Sequence, residues 1–148
     1  MTSEDSLDIR EVIFVNERCR VDYEAMPADV RESADLAIDA LQNDLPLPAK
    51  LYQPLHAKLM GINEIRLSYD DNTYRVYVTL KCTWIIMVLE AGIKKSTEGK
   101  NIPKWQQERL ETRYKKARAY WTEHDADLKA DYDNREARRK AFAKEKRR

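Results

Sequence analysis

Glycine, histidine and cysteine are all scarce in this chain of 148 residues, and each shortage argues against a class of site. With 3 glycines, the chain has no Gly-rich loop of the kind that cradles phosphates in nucleotide-binding folds. The 2 histidines, His56 and His124, and the 2 cysteines, Cys19 and Cys82, show no metal-ligand spacing and no disulfide framework. We therefore expect no metal, no cofactor, and thiols that stay reduced.

Long hydrophobic runs are missing as well. The longest apolar run, Trp84 to Leu89, is far too short to cross a bilayer. The first residues, MTSEDSLDIR, are polar and acidic, unlike a secretory signal. The sequence therefore predicts a cytoplasmic protein without a membrane partner.

Charge is plentiful but unevenly distributed, although the net charge is only +1. Residues 1–49 hold 4 Lys/Arg against 12 Asp/Glu, whereas residues 50–118 hold 14 against 7. Residues 119–148 are nearly balanced, with 9 against 7. This asymmetry predicts a bipolar surface, with one pole suited to polyanions.

Two prolines mark the starts of predicted helices, one at Pro27 and one at Pro103. A strand rich in β-branched residues is predicted over Ile9 to Val15, and Cys19 to Tyr23 either continues or follows it. Apolar residues at helical spacing predict the buried stripes. They are Val30, Ala34, Ala37, Ile38, Leu41 and Leu45 in the first helix, and Leu110, Tyr114, Ala117 and Trp121 in the second.

Beyond Trp121 the chain becomes strongly charged and poor in apolar residues. Opposite charges recur at i,i+4 spacing, as in Asp131/Arg135 and Glu136/Lys140. We therefore expect a domain over residues 1–121, followed by an extension over residues 122–148 that is helical or partly disordered.

A β-hairpin is predicted from two alternating segments, Glu64–Asp70 and Thr73–Leu80. Asp71-Asn72 is the predicted two-residue turn, because both residues tolerate positive φ. That turn places Arg66 and Arg75 diagonally on one face of the sheet, within reach of one phosphate group. The unbroken apolar run that follows is expected to form a central strand covered on both sides.

Arg66, Arg75, Lys94 and Lys95 are the predicted catalytic residues, the lysines standing where the central strand ends. Four cations around one concavity can hold a phosphodiester, neutralise its transition-state charge and stabilise the leaving oxygen. Acid–base residues are few nearby, and RNA needs no enzyme nucleophile because its own 2′-hydroxyl attacks the adjacent phosphorus. RNA is therefore the favoured substrate class.

Other candidate residues lie outside this cluster. Arg109, Arg113 and Lys116 follow one another at helical spacing, and we predict that they bind substrate. His56 precedes the hairpin, and a surface or loop role is expected for it rather than catalysis. Several aromatic residues could stack on bases, although packing is the simpler expectation for most of them. They are Tyr69, Tyr74, Tyr77, Trp84 and Trp105.

A family resemblance rests on a set of short segments in a fixed order. They are Leu55–Lys58, Leu59-Met60-Gly61, Glu64-Ile65-Arg66, Tyr74-Arg75-Val76, Gly92-Ile93-Lys94-Lys95 and the later Pro103. Their order and spacing resemble the RelE/HigB superfamily, and most closely its phage-derived HigB-like toxins. The resemblance covers about residues 9–121.

The resemblance implies an α+β fold with a small antiparallel sheet flanked by helices. It implies a toxin of a type II toxin–antitoxin pair that cleaves mRNA in the ribosomal A site and forms a hetero-oligomer with its antitoxin. Arg66 and Arg75 match the basic positions of the two hairpin strands. Lys94 or Lys95 matches the cation after the last strand. In the family, such residues bind and activate the scissile phosphate.

Two other hypotheses stay open at this point. A ParE-like relative in the same superfamily would poison DNA gyrase by binding to it rather than by cutting RNA. A non-catalytic interaction or regulatory protein would keep the fold without the activity.

Overall fold

One mixed sheet of five strands organises the part of the chain that this computed structural model describes, residues 8–94 and 102–146. The strands are β1 Glu11–Phe14, β2 Tyr52–Pro54, β3 Asn63–Tyr69, β4 Asn72–Thr79 and β5 Ile85–Lys94. Their order across the sheet is β1-β5-β4-β3-β2. The α+β fold is confirmed; β1 joins β5 in parallel, whereas the other pairs are antiparallel.

The hairpin between β3 and β4 turns one residue earlier than the sequence predicts. Asp70 and Asp71 both adopt positive φ, at 49° and 63°, and so form the turn in place of Asp71-Asn72. As a result, Arg66 lies directly opposite Arg75 rather than diagonal to it. Moving the turn by one residue changes the partner of each β3 residue by two positions in β4. Because side chains alternate between faces with a period of two, both arginines still lie on the predicted face.

Four helices flank the sheet within the described ranges: α1 Glu17–Glu24, α2 Ala28–Gln42, α3 Lys104–Glu123 and α4 Asp125–Lys146. The alternative in which Cys19 to Tyr23 continues the first strand is wrong, because these residues lie in α1. Asn16 caps this helix, its side-chain oxygen accepting from the Cys19 backbone N–H at 2.8 Å. Cys19 and Tyr23, one turn apart on α1, form its buried side.

α2 begins after Pro27 as predicted, and it packs beside β3. Its predicted stripe is buried except for Leu45, which lies beyond the end of the helix and is exposed. Ile65 and Leu67 belong to the sheet face on this side and are also buried.

α3 covers the other face, where it begins after Pro103 and packs beside β5. Leu110 and Ala117 of its predicted stripe are fully buried, whereas Tyr114 and Trp121 are half-buried against the core. Because both faces of the sheet are covered, neighbouring residues of β4 such as Val76 and Tyr77 are both buried.

α4 follows α3 after His124, and the helical form of the extension is confirmed over residues 125–146. Leu128 is buried, and the Tyr132 ring lies 5.1 Å from that of Trp84, centroid to centroid. The predicted pair Glu136/Lys140 is confirmed at 2.9 Å. Arg135 instead pairs with Glu11 of β1, at 3.8 Å, and not with the predicted Asp131. The division at residue 121 stays a prediction.

β2 was missing from the predicted elements. It spans 3 residues at the edge of the sheet and ends in Pro54, which an edge strand tolerates. No helix of the described segments is long and apolar enough to span a membrane.

Candidate functional site

A buried carboxylate, Glu64, holds the two predicted catalytic arginines of the hairpin. Arg66 Nη2 lies 3.0 Å and Arg66 Nε 3.1 Å from Glu64 Oε1. Arg75 Nη1 lies 3.2 Å from the other oxygen, Glu64 Oε2. The strand register brings these side chains together, since residues two apart in β3 share a face and Arg75 lies directly opposite Arg66.

A second buried carboxylate, Glu90, binds two of the three helical cations that were predicted to contact substrate. Arg109 Nε donates to Glu90 Oε1, and Arg113 Nη1 lies 3.5 Å from the same oxygen. Gln106 Nε2 donates to Glu90 Oε2 at 2.5 Å. Arg113 Nη1 also donates to the Leu89 carbonyl oxygen at 2.9 Å. Glu90 thus attaches α3 to the sheet.

The two carboxylates correct the expectation that the site has few acid–base residues. Formally, each carboxylate offsets one of the two arginines that contact it, so each cluster keeps a single net positive charge. A carboxylate that accepts from two guanidinium groups also fixes their positions. The result is an ordered cationic surface rather than a concentration of unpaired charge.

Tyr77 lies between the two clusters in the strand register, opposite Glu64 in β3 and Glu90 in β5. Its side chain is 1% exposed, and burial raises the pKa of its hydroxyl to about 12. The hydroxyl therefore stays protonated at neutral pH. Neither Tyr77 Oη nor Arg75 Nε has a hydrogen bond of good geometry to any described residue, although the Arg75 guanidinium lies close enough to the hydroxyl to offset part of the rise in its pKa. Two buried donors without an acceptor are energetically costly.

Arg75 and Tyr77 line a cavity of about 150 Å³ between the sheet and the start of α3. Lys94, at the end of β5, and Arg109 also line this cavity. Trp105 stands at the same cavity and is exposed, with the Arg109 guanidinium carbon 4.8 Å from its ring centroid. Cations, a protonated hydroxyl and an exposed aromatic ring suit an anionic ligand that carries a flat group.

A wider groove of about 650 Å³ adjoins this cavity, and Arg75 lines both. The groove is also lined by Arg66, Glu64 and two residues that precede the hairpin, His56 in a loop and Lys58 in the short 3-10 helix Ala57–Leu59. His56 is exposed in the loop before the hairpin, as expected, and it also lines this groove. Its position in the sequence, between β2 and the hairpin, was the feature that could have indicated its place in the groove.

The predicted cations do not all meet in one place. Arg66, Arg75 and Lys94 line the groove or the cavity, and Arg109 reaches the cavity while paired with Glu90. Lys116 is exposed further along α3 and lines neither space. Lys95 lies outside the described residues. The roles of all these residues stay predictions.

No three His, Cys, Asp or Glu side chains come together as metal ligands anywhere in residues 8–94 or 102–146. The chemistry visible in the site is hydrogen-bond donation by guanidinium groups, two ammonium groups and a phenol, beside an imidazole and the three carboxylates of Asp22, Glu64 and Glu90.

Comparison with known proteins gives one family. A family model described as phage derived protein Gp49-like (DUF891) matches residues 22–115. The matched span runs from α1 into α3, and it contains both carboxylate clusters and Tyr77. No curated protein and no solved structure matches the chain.

Proposed function

Because the chain belongs to the phage-derived Gp49-like family, which is associated with RelE/HigB-type toxins, we propose that it is the toxin of a type II toxin–antitoxin pair. We further propose that it acts as a metal-independent endoribonuclease on mRNA bound to the ribosome. The observation that carries this is the pairing of Arg66 with Arg75 over Glu64, beside a cavity with two unpartnered donors.

The proposed reaction uses the RNA as its own nucleophile. The 2′-oxygen bonds to the adjacent phosphorus, and the bond from phosphorus to the 5′-oxygen breaks. The products are a 2′,3′-cyclic phosphate and a 5′-hydroxyl, with one proton lost from the 2′-hydroxyl and one gained by the 5′-oxygen. His56, in the groove, carries an imidazole that can accept one proton and donate another.

The arginines supply charge to the phosphate as it gains negative charge in the transition state. Arg66 lies in the open groove, whereas Arg75 connects the groove with the cavity. Glu64 fixes both guanidinium groups before the substrate arrives, so little reorganisation is needed on binding. Lys94 adds a third cation at the cavity.

The proposed partners are a cognate antitoxin, with which the toxin forms a hetero-oligomer, and mRNA on the ribosome. A second candidate function is a non-catalytic interaction protein on the same fold. The observation that favours it is that all four arginines of the two clusters already have carboxylate partners. Phosphate binding must then compete with Glu64 and Glu90 for the same donors.

Induction of this chain alone in bacteria, with mRNA 5′ ends mapped soon afterwards, tests the proposal. We expect new ends within translated codons for the native chain and about a hundredfold fewer for Arg66→Ala, since loss of one charge-stabilising donor typically costs that much. Arg66 is suitable because its side chain is 43% exposed, so its removal leaves the fold intact.

Arg20→Ala is the matched control. Arg20 lies on α1 with its side chain 42% exposed, pairs with Glu24 at 3.0 Å, and lies outside both the groove and the cavity. Cuts by both variants alike would remove Arg66 from the site. Growth arrest without cuts would move the assignment to another target such as gyrase, and an absence of both would favour the non-catalytic protein.

A further inference from the structure

A second large groove, of about 770 Å³, lies between β1 and α2, and neither hairpin arginine lines it. Its floor is apolar and includes Val12, Phe14 and Ile38. Leu36 projects from α2 at its side and is 67% exposed. A leucine that exposed gains nothing from the fold itself, whereas covering it would bury apolar surface at about 25 cal/mol per Å².

Acidic side chains form the rim of this β1–α2 groove. They are Glu24, Glu32, Asp35 and Asp39. Arg31 is the basic residue that lines the groove, and it donates through Nη1 to the Glu24 backbone carbonyl at 3.0 Å. Burial and the neighbouring Asp8 carboxyl raise the pKa of Asp39, a sign that negative charge is crowded there.

The charge of the rim excludes several occupants. Nucleic acid would bring like charge to the carboxylates, as would the first seven residues of this chain, which carry Glu4 and Asp5 but no Lys or Arg. A complementary occupant needs an apolar stripe for Leu36 and the floor, flanked by cations for the rim.

We propose that the β1–α2 groove docks a basic amphipathic helix from a partner protein. Its apolar stripe packs on Leu36, Val12 and Phe14, and its lysines or arginines face Glu32 and Asp39. The inference rests on the proposed function only in taking the antitoxin as the protein that supplies this helix. Among the described residues, none lines both the β1–α2 groove and either space of the arginine site.

Titration of the full ¹⁵N-labelled chain with a designed peptide tests this surface. The peptide has about 18 residues, or five helical turns, with leucines on one face and lysines on the other. We expect amide shift changes centred on Val12, Phe14 and Leu36, and no binding of a matched peptide in which every lysine is replaced by glutamate.

Two variants of the chain sharpen the assignment. Leu36→Asp should weaken binding about tenfold or more, as expected at the centre of a docking site, and Glu32→Lys should weaken it about threefold. Leu45→Asp is the matched control, because Leu45 is 55% exposed but lies outside the groove. The affinity of the Leu45→Asp variant for the lysine peptide should stay within about twofold of that of the native chain.

Several outcomes would overturn the inference: equal losses for Leu36→Asp and Leu45→Asp, shift changes centred on α4, or binding of the glutamate peptide. Self-association that Leu36→Asp abolishes would show that a second copy occupies the groove instead. Leu36→Asp should keep mRNA cleavage intact. Cleavage without peptide docking would therefore overturn this inference alone, and docking without cleavage would overturn the proposed function alone.

Discussion

Glu64 and Glu90 build two clusters that are nearly alike in composition and burial. Each carboxylate side chain is 5% exposed, and each holds one arginine that is 43% exposed, Arg66 or Arg109. Each also holds one arginine that is about one-tenth exposed, Arg75 at 10% or Arg113 at 11%. The likeness makes the remaining differences informative.

The clusters differ in how completely their donors are satisfied. Arg113 donates to Glu90 and to the Leu89 carbonyl, and Gln106 occupies the second oxygen of Glu90. Arg75 pairs with Glu64, but its Nε has no acceptor within the described part of the chain. We interpret the Glu90 cluster as a structural contact that holds α3 on the sheet. We interpret the Glu64 cluster as a binding site in which a ligand supplies the acceptor for Arg75 Nε.

The largest change in the free energy of unfolding is expected from removing the Glu90 carboxylate. Glu90→Ala should lower the free energy of unfolding by about 3–5 kcal/mol, because it leaves Arg113 buried without its carboxylate and detaches α3. Glu64→Ala should cost less, about 1–3 kcal/mol, because both of its arginines belong to the hairpin, whose strands stay joined by their backbone pairing, and no helix is detached. Urea denaturation followed by circular dichroism measures both.

Glu108→Ala is the control for this pair of variants, since Glu108 is an exposed carboxylate on α3 and should change stability by less than about 0.5 kcal/mol. Equal losses for Glu90→Ala and Glu64→Ala would break the distinction between a structural cluster and a functional one.

A smaller effect of opposite sign is expected at Tyr77. Tyr77→Phe should raise the free energy of unfolding by about 1 kcal/mol, because it removes a buried donor that has no acceptor among the described residues. Tyr23→Phe should lower it by about 1 kcal/mol, because Tyr23 donates to Asp35 Oδ1 at 2.5 Å. The same urea titrations compare the two tyrosines.

The pH dependence of the Tyr77 effect provides an independent check. The pKa of Tyr77 is raised from 10.0 to about 12, so folding favours the protonated form. That contribution is complete below pH 10 and is lost as pH rises to about 12. The native chain should therefore lose more stability across this window than Tyr77→Phe, and parallel losses would show that Tyr77 is not buried as described.

The smallest effect is expected from an oxyanion offered to the incomplete cluster. Sulfate near 0.1 M should stabilise the native chain by about 0.5–1 kcal/mol more than it stabilises Tyr77→Phe, as expected for weak binding to the folded state. Sodium chloride at equal ionic strength is the control. An equal gain in both proteins would reflect general exclusion of sulfate from protein surfaces, and the cavity would then have no anion site.

Much of the fold follows from local pattern, and the failures have local causes. Alternation predicted β3 and β4, but the turn shifted because two aspartates in succession adopt positive φ. Cys19 and Tyr23 are spaced for a helix yet span too few residues to distinguish it from a strand. The capping side chain of Asn16 was the available signal.

The site was harder to predict than the fold because it depends on which elements cover the second sheet face. Strand alternation alone placed Arg66 and Arg75 on one face of the sheet, where the structure also has them. Glu64 and Glu90 were missed, since a carboxylate in a strand indicates a solvent-facing position until a helix is known to lie over it. The burial of Tyr77 and the proximity of His56 arise from the same long-range contacts.

The contacts of the first strand with β5 and α4, both much later in the sequence, affect when this strand can pack during synthesis. Glu11 pairs with Ile85, and its other long-range partner, Arg135, lies near the end of the chain. At ribosomal speeds, roughly 4 to 15 seconds separate the emergence of Glu11 from that of Ile85, and the closing helix comes later still. The first strand therefore stays without its neighbour in the sheet until β5 has been synthesised.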